Sequence, residues 1–212
     1  MGPITVTLLI VLGALLFMIL KKLFERAPAP VAASVPQQDL ASLTVADARV
    51  GDNISITGAG DNFSDLSFTV DHGNQYEAGE RKWFDVSGKH GERRVSLEVR
   101  DEDDELDVRA FLDGKKLTLE DLGLSEDDLA QMDQRQNTAD NFEFDGKNWY
   151  YLLSKEVGAF HDGQAQGAGF YGWEFREETG NRYMAIRKKE GEPFSASVAV
   201  KLNPADIAVF RQ

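Results

Sequence analysis

The chain has 212 residues, with 23 basic and 36 acidic side chains, a formal charge of −13 and a pI near 4.7. That surplus of negative charge repels phosphate backbones, so no nucleic-acid partner is expected. The lack of cysteine excludes disulfides, thiolate zinc sites, a cysteine nucleophile and a lipid-modified cysteine.

The first element is PITVTLLIVLGALLFMIL, from Pro3 to Leu20, with no charged side chain. At ~1.5 Å per residue it reaches roughly 27 Å as a helix, close to the hydrocarbon thickness of a bilayer. A buried core helix and a cleaved signal peptide are the rival readings. A signal peptide carries its positive charge before the apolar run, whereas Lys21, Lys22 and Arg26 come after it here. The pattern predicts an uncleaved transmembrane anchor with a basic flank over 1–26, whose partner is the lipid bilayer through residues 3–20. By the positive-inside rule the remainder lies in the cytoplasm, on the inner membrane of a bacterium. An inverted anchor would instead make the domain periplasmic. Residues 27–42, APAPVAASVPQQDLAS, read as an extended Pro/Ala-rich linker able to span up to about 50 Å.

From residue 43 the chain alternates in short runs between turn residues, the mark of antiparallel β structure. ARVGDNISITG sets Val50, Ile54 and Ile56 around a Gly-Asp turn, and LSFTV puts Leu66, Phe68 and Val70 on one face. RRVSLEVRDEDDELDVRAFL gives Val95, Leu97 and Val99, an acidic turn, then Val108 and Ala110. One helix interrupts: Ser125 and Asp128 in SEDDLAQM have capping-box spacing, and TLEDLG before it forms a further turn capped by Thr118. Two segments echo each other, one beginning at Lys82 and one at Gly172, each with a tryptophan (Trp83, Trp173), three strands and two polar turns. The expected fold is therefore mainly β, a β-rich α+β domain over 43–212. It is expected to contain antiparallel meanders in two related halves, about 43–115 and 140–212, with a helical insert at about 118–134.

GAGFYG, inside GQAQGAGFYGW, matches the G-x-G-x-x-G of dinucleotide-binding loops. That motif works by aiming helix N-terminal amides at a pyrophosphate, whereas the residues after Gly172 alternate like a strand. The glycines are read as a loop between strands, with Phe170, Tyr171 and Trp173 packing afterwards. His72, His90 and His161 stand in turn-like contexts without metal-ligand spacing, and no G-x-S-x-G accompanies them. DEDDELD fails as a calcium loop, because positions six and twelve from Asp101 are Leu106 and Leu112. No catalytic residue, cofactor or metal is assigned. The candidate contacts are Trp149, Tyr150, Tyr151 and Trp173: three of them are consecutive, so alternate members face opposite sides of a strand.

The run of VGDNISITG, WFDVSG, VSLEVRDEDDE, FDGKNWYYL, GWEFREETGNRYMAIRKKEGEPFSASVAV and NPADIAVF resembles the bacterial family of unknown function DUF4178, over roughly Ser42 to Phe210. The resemblance implies no catalytic residue. It implies an accessory role near the inner membrane, beside small membrane proteins and homologues of phage-shock protein A. The expected function is that of a membrane-anchored, non-catalytic module that binds other membrane-associated proteins. The alternative is a binding protein or enzyme for a cationic, polyamine-like molecule, drawn to the acidic domain.

Overall fold

The computed structural model describes residues 43–102, 105–112, 114–164 and 167–211. The anchor and linker expected at 1–42 lie outside them. Among the described residues no helix is long and apolar enough to cross a membrane. The strands are β1 (Asn53–Ile56), β2 (Leu66–Ala78), β3 (Arg81–His90), β4 (Arg93–Glu102), β5 (Glu105–Phe111), β6 (Asn141–Phe144), β7 (Lys147–His161), β8 (Ala168–Glu177), β9 (Arg182–Lys188), β10 (Ser195–Leu202) and β11 (Ile207–Phe210), with helix α1 (Glu126–Arg135) between β5 and β6. The chain is thus mainly β, in one large antiparallel sheet.

Strand order is β11-β1-β2-β3-β4-β5-β10-β9-β8-β7-β6, and β2 also pairs with β7. That last ladder, Asn74–Glu77 against Gly158–His161, closes eight strands, β2-β3-β4-β5-β10-β9-β8-β7, into a ring. An eight-stranded ring encloses a lumen that side chains can just fill. Strands β1 and β11 extend from the first half of β2, and β6 from the first half of β7.

Two bulges let one strand serve two interiors. In β2 the register shifts between Val70 and His72, so Leu66, Phe68 and Val70 point to one side while Tyr76 points to the other. In β7 the shift falls between Tyr151 and Leu153, separating Trp149 and Tyr151 from Val157 and Ala159. One inserted residue exchanges the two faces of a strand, because side-chain alternation has period two.

Outside the ring lie two apolar cores. The first gathers Ile54, Ile56, Leu66, Phe68, Val95, Leu97, Val99, Val108 and Val209. The second packs Trp149, Tyr151, Trp173, Phe175, Met184 and Ile186 under Leu117, Leu122, Leu129 and Met132. Helix α1 starts where its sequence requires: the Ser125 hydroxyl accepts from the Asp128 amide at 3.2 Å, and the Asp128 carboxylate accepts from the Ser125 amide at 2.8 Å. Thr118 and Asp121 repeat the arrangement one turn earlier. The helix docks through Asp133, which accepts hydrogen bonds from Tyr171 Oη (2.7 Å), Gln136 Nε2 (3.1 Å) and the Ser154 hydroxyl. At the chain's end Arg211 donates to both carboxylate oxygens of Asp52 at 3.0 and 2.8 Å, fastening the segment after β11 to the Gly-Asp turn.

One local expectation changes. Gly169 and Gly172 lie within β8, while the turn precedes them at Asp162–Gly163. A Cβ on Gly172 would meet the Phe170 ring at 3.3 Å, and one on Gly167 would meet the Ala159 carbonyl at 2.6 Å. Close approach to the Phe170 ring and to the β7 backbone, rather than turning, is what asks for glycine at these two positions. Of the residues set around the Gly-Asp turn, Val50 is exposed in the turn before β1, and Ile54 and Ile56 are buried.

Candidate functional site

The lumen of the ring is lined by charge. Glu174 on β8 accepts two hydrogen bonds from Arg100 on β4, at 2.8 and 2.9 Å, and one from Arg109 on β5 at 2.9 Å. Strands β4 and β8 stand four places apart in the ring whichever way one counts, so the Arg100–Glu174 pair crosses the lumen. Arg100 also donates through Nε to Glu98 at 2.9 Å, and Arg109 through Nε to Asp107 at 2.7 Å. Lys155 Nζ lies 3.8 Å from Glu174, and Arg187 Nη2 lies 3.6 Å from Glu98. With Asp85, which accepts from Tyr76 Oη and Asn74 Nδ2 at 2.7 Å each, the acids Asp85, Glu98, Asp107 and Glu174 match the bases Arg100, Arg109, Lys155 and Arg187 in number. A buried charge is tolerated only when paired and hydrogen-bonded, and this interior is close to neutral inside a strongly acidic chain.

Aromatic groups complete the lining near the β2–β7 ladder. Tyr76 stacks on Trp83 with centroids 5.6 Å apart, and Phe170 meets Tyr76 edge-on at 6.2 Å. The Arg100 guanidinium lies 5.1 Å and Lys155 Nζ 4.7 Å from the Trp83 ring centroid, close enough for cation–π attraction. The indole N–H of Trp83 is buried and has no protein partner among the described residues. A void of about 20 Å³ beside it has room for about one water molecule.

Protonation is set by this packing. Burial opposes the charge of Glu174, but Arg100, and after it Arg109 and Lys155, more than offset that and hold its carboxyl at about 2. Burial pushes the Lys155 ammonium below the ordinary lysine value. Burial raises Asp85, with the hydrogen bonds from Tyr76 and Asn74 working against the rise.

One end of the ring opens into a cavity of about 290 Å³. It shares Ala185 and Arg187 with the central void, and Asp85 lies at its inner end. The outer lining holds Arg94, Lys115, Lys116 and Lys189, the hydroxyls of Ser96, Ser195 and Ser197, and the apolar walls Phe111 and Pro193. The paired hydrogen bonds between Leu117 and Ala196, 2.8 Å each, fix the lysine-bearing segment beside β10. Gly114, at φ +61°, turns the chain into it.

The candidate contact residues divide by burial. Trp149, Tyr151 and Trp173 are buried in the second core. Their alternation partner Tyr150 is half-buried on the opposite face, opposite Arg176 on β8. The histidines occupy β2 and the ends of β3 and β7 rather than turns: His90 Nδ1 sits 2.9 Å from the Ser67 carbonyl, and His161 Nδ1 lies 2.8 Å from Asn74 Oδ1. Among the described residues no group of three His, Cys, Asp or Glu side chains is placed to hold a metal. At the ends of β4 and β5, Asp101 pairs with Leu106 and Glu102 with Glu105.

Sequence reasoning missed the lumen and its cationic mouth, because both are assembled by the β5–β10 and β2–β7 pairings between distant segments. It also missed Phe63, 92 % exposed at the tip before β2. Comparison of the chain with protein-family models, with curated proteins and with solved structures finds no match. The architecture itself is that of an antiparallel ring of eight strands, braced by internal ion pairs and open at a basic mouth.

Proposed function

We propose that this chain is a membrane-anchored, non-catalytic module that works by contact with other proteins at the bacterial inner membrane. The observation that carries the reading is Phe63. Its ring stands in water at a loop tip where both it and Asn62 adopt left-handed backbone, with φ of +61° and +57°. That conformation costs an L-residue about 1–2 kcal/mol, and such strain persists only where the surroundings impose it. Here Gly60 N–H donates to the Ser64 carbonyl at 2.8 Å, Gly58 N–H to Asp65 at 3.0 Å, and Arg93 to Asp61 at 2.9 Å. An aromatic ring held stiffly in solvent suits an anchor that enters a partner's pocket.

The apolar run at 3–20 and the bases behind it support an inner-membrane anchor with the domain in the cytoplasm. The likeness to DUF4178 supports an accessory role in a membrane-stress system of the phage-shock-protein-A kind. We read β1–β5 and β6–β10 as related halves, since each half of the ring closes with a long bulged strand and a three-strand meander. A photo-crosslinker at position 63 of the full chain, in intact cells, tests the contact. One defined protein adduct, lost when the crosslinker is moved to exposed Lys147, is the expected result. No adduct from position 63, or the same adducts from both positions, contradicts it.

A further inference from the structure

We propose that the basic mouth of the ring is a binding site for a phosphomonoester. The proposed site stands apart from the Phe63 contact and does not depend on it. The cavity holds about 290 Å³, near the lower end for small-molecule sites. Its lining carries five bases, Arg94, Lys115, Lys116, Arg187 and Lys189, against two acids, Asp85 and Glu192. This is the reverse of the chain's balance of 23 bases to 36 acids.

Arg94, Arg187 and Lys115 all have partners within the fold. Arg94 grips Asp71 through both terminal nitrogens, at 2.7 and 3.0 Å, and Arg187 faces Glu98 at 3.6 Å. Lys116 and Lys189 form no ion pair among the described residues. Asp85 is satisfied from inside by Tyr76 and Asn74, and Glu192 stands exposed on the rim. Ammonium charge at the opening is therefore left without a carboxylate partner.

The hydroxyls of Ser96, Ser195 and Ser197 line the same cavity and make no hydrogen bond among the described residues. A terminal phosphate presents three strongly accepting oxygens and close to two charges at neutral pH, which calls for several donors at once. Lysines and serine hydroxyls around one opening supply that set, while Phe111 and Pro193 offer an apolar wall to the rest of the ligand. Acidic residues elsewhere do not cancel the local field, because salt screens charges over about 8 Å at physiological strength.

The phosphomonoester could be a soluble metabolite or the headgroup of phosphatidic acid, and the test has an arm for each. Full-length protein in nanodiscs of phosphatidylcholine is titrated calorimetrically with glycerol 3-phosphate. In the second arm, hydrogen exchange over residues 114–117 and 193–197 is compared between nanodiscs with and without phosphatidic acid. The variants are Lys116→Glu and Lys189→Glu, both at solvent-accessible lysines, with Lys147→Glu as a control of equal charge change and melting temperature as the check on folding. Saturable binding of one glycerol 3-phosphate per chain, weakened at least tenfold in both mouth variants and not in the control, supports the site with a soluble ligand. Protection confined to the phosphatidic acid discs, and lost in the same variants, supports it with a lipid ligand. Neither signal, or a signal that survives both mouth variants, overturns the proposal whether or not Phe63 crosslinks a partner.

Discussion

The lumen and the two outer cores are made by the same strands from alternate residues, yet they obey opposite chemistries. On β4, Val95, Leu97 and Val99 enter an aliphatic core, while Glu98 and Arg100 enter the lumen as buried ions. On β8, Trp173 and Phe175 are core, while Glu174 bridges two guanidiniums. The outer cores are stabilised by apolar area removed from water and tolerate substitutions that keep volume. The lumen depends on pairing, so any single deletion strands a charge.

That contrast can be broken from either side. Glu174→Ala should be the most damaging single change: it leaves Arg100 and Arg109 buried without their shared acceptor and costs about 3–5 kcal/mol. Urea unfolding measures it, and a loss below about 1 kcal/mol would mean the lumen is wet. Trp149→Ala should cost a similar ~3–5 kcal/mol by cavity formation, but with a distinct signature, since the loss should be insensitive to salt and pH. Ser125→Ala removes the cap of α1 and should cost about 1 kcal/mol, seen as a small drop in thermal midpoint. Lys82→Ala breaks an exposed pair with Glu77 and should change stability by less than about 0.5 kcal/mol. It sets the baseline for an ion pair outside the lumen.

The same contrast explains how much was legible in the sequence. The alternation of Leu66, Phe68 and Val70 and of Val95, Leu97 and Val99 marked strands and core residues correctly, and the spacing of Ser125 and Asp128 marked the helix start. Local period and capping chemistry are properties of a few neighbouring residues. The partners of Glu98, Arg100 and Glu174 are not: a charged residue between apolar ones reads as solvent-facing unless the sheet closes over it. Closure rests on β2–β7 and β5–β10 pairings between segments far apart in the chain. The bulges at Asp71 and Leu152 reverse the faces of β2 and β7, which is why Tyr76 and Val157 turn to the lumen while Val70, Trp149 and Tyr151, before the bulges, stay in the outer cores. Net charge likewise pointed toward cationic ligands, although the sum over a whole chain does not fix the sign at one mouth.

If the ring closes around paired charges, the Glu174 carboxyl must register it. Its folded-state value, about 2, lies below the ordinary 4.5. The stabilisation it provides is therefore complete above about pH 4.5 and drains away as pH falls toward 2. Carbon-detected NMR of the Glu174 side-chain carboxyl, followed through an acid titration of the folded protein, should show it ionised down to about pH 2, with unfolding free energy falling over the same interval. A midpoint near 4.5, with stability unchanged through it, would contradict the closed, ion-paired lumen.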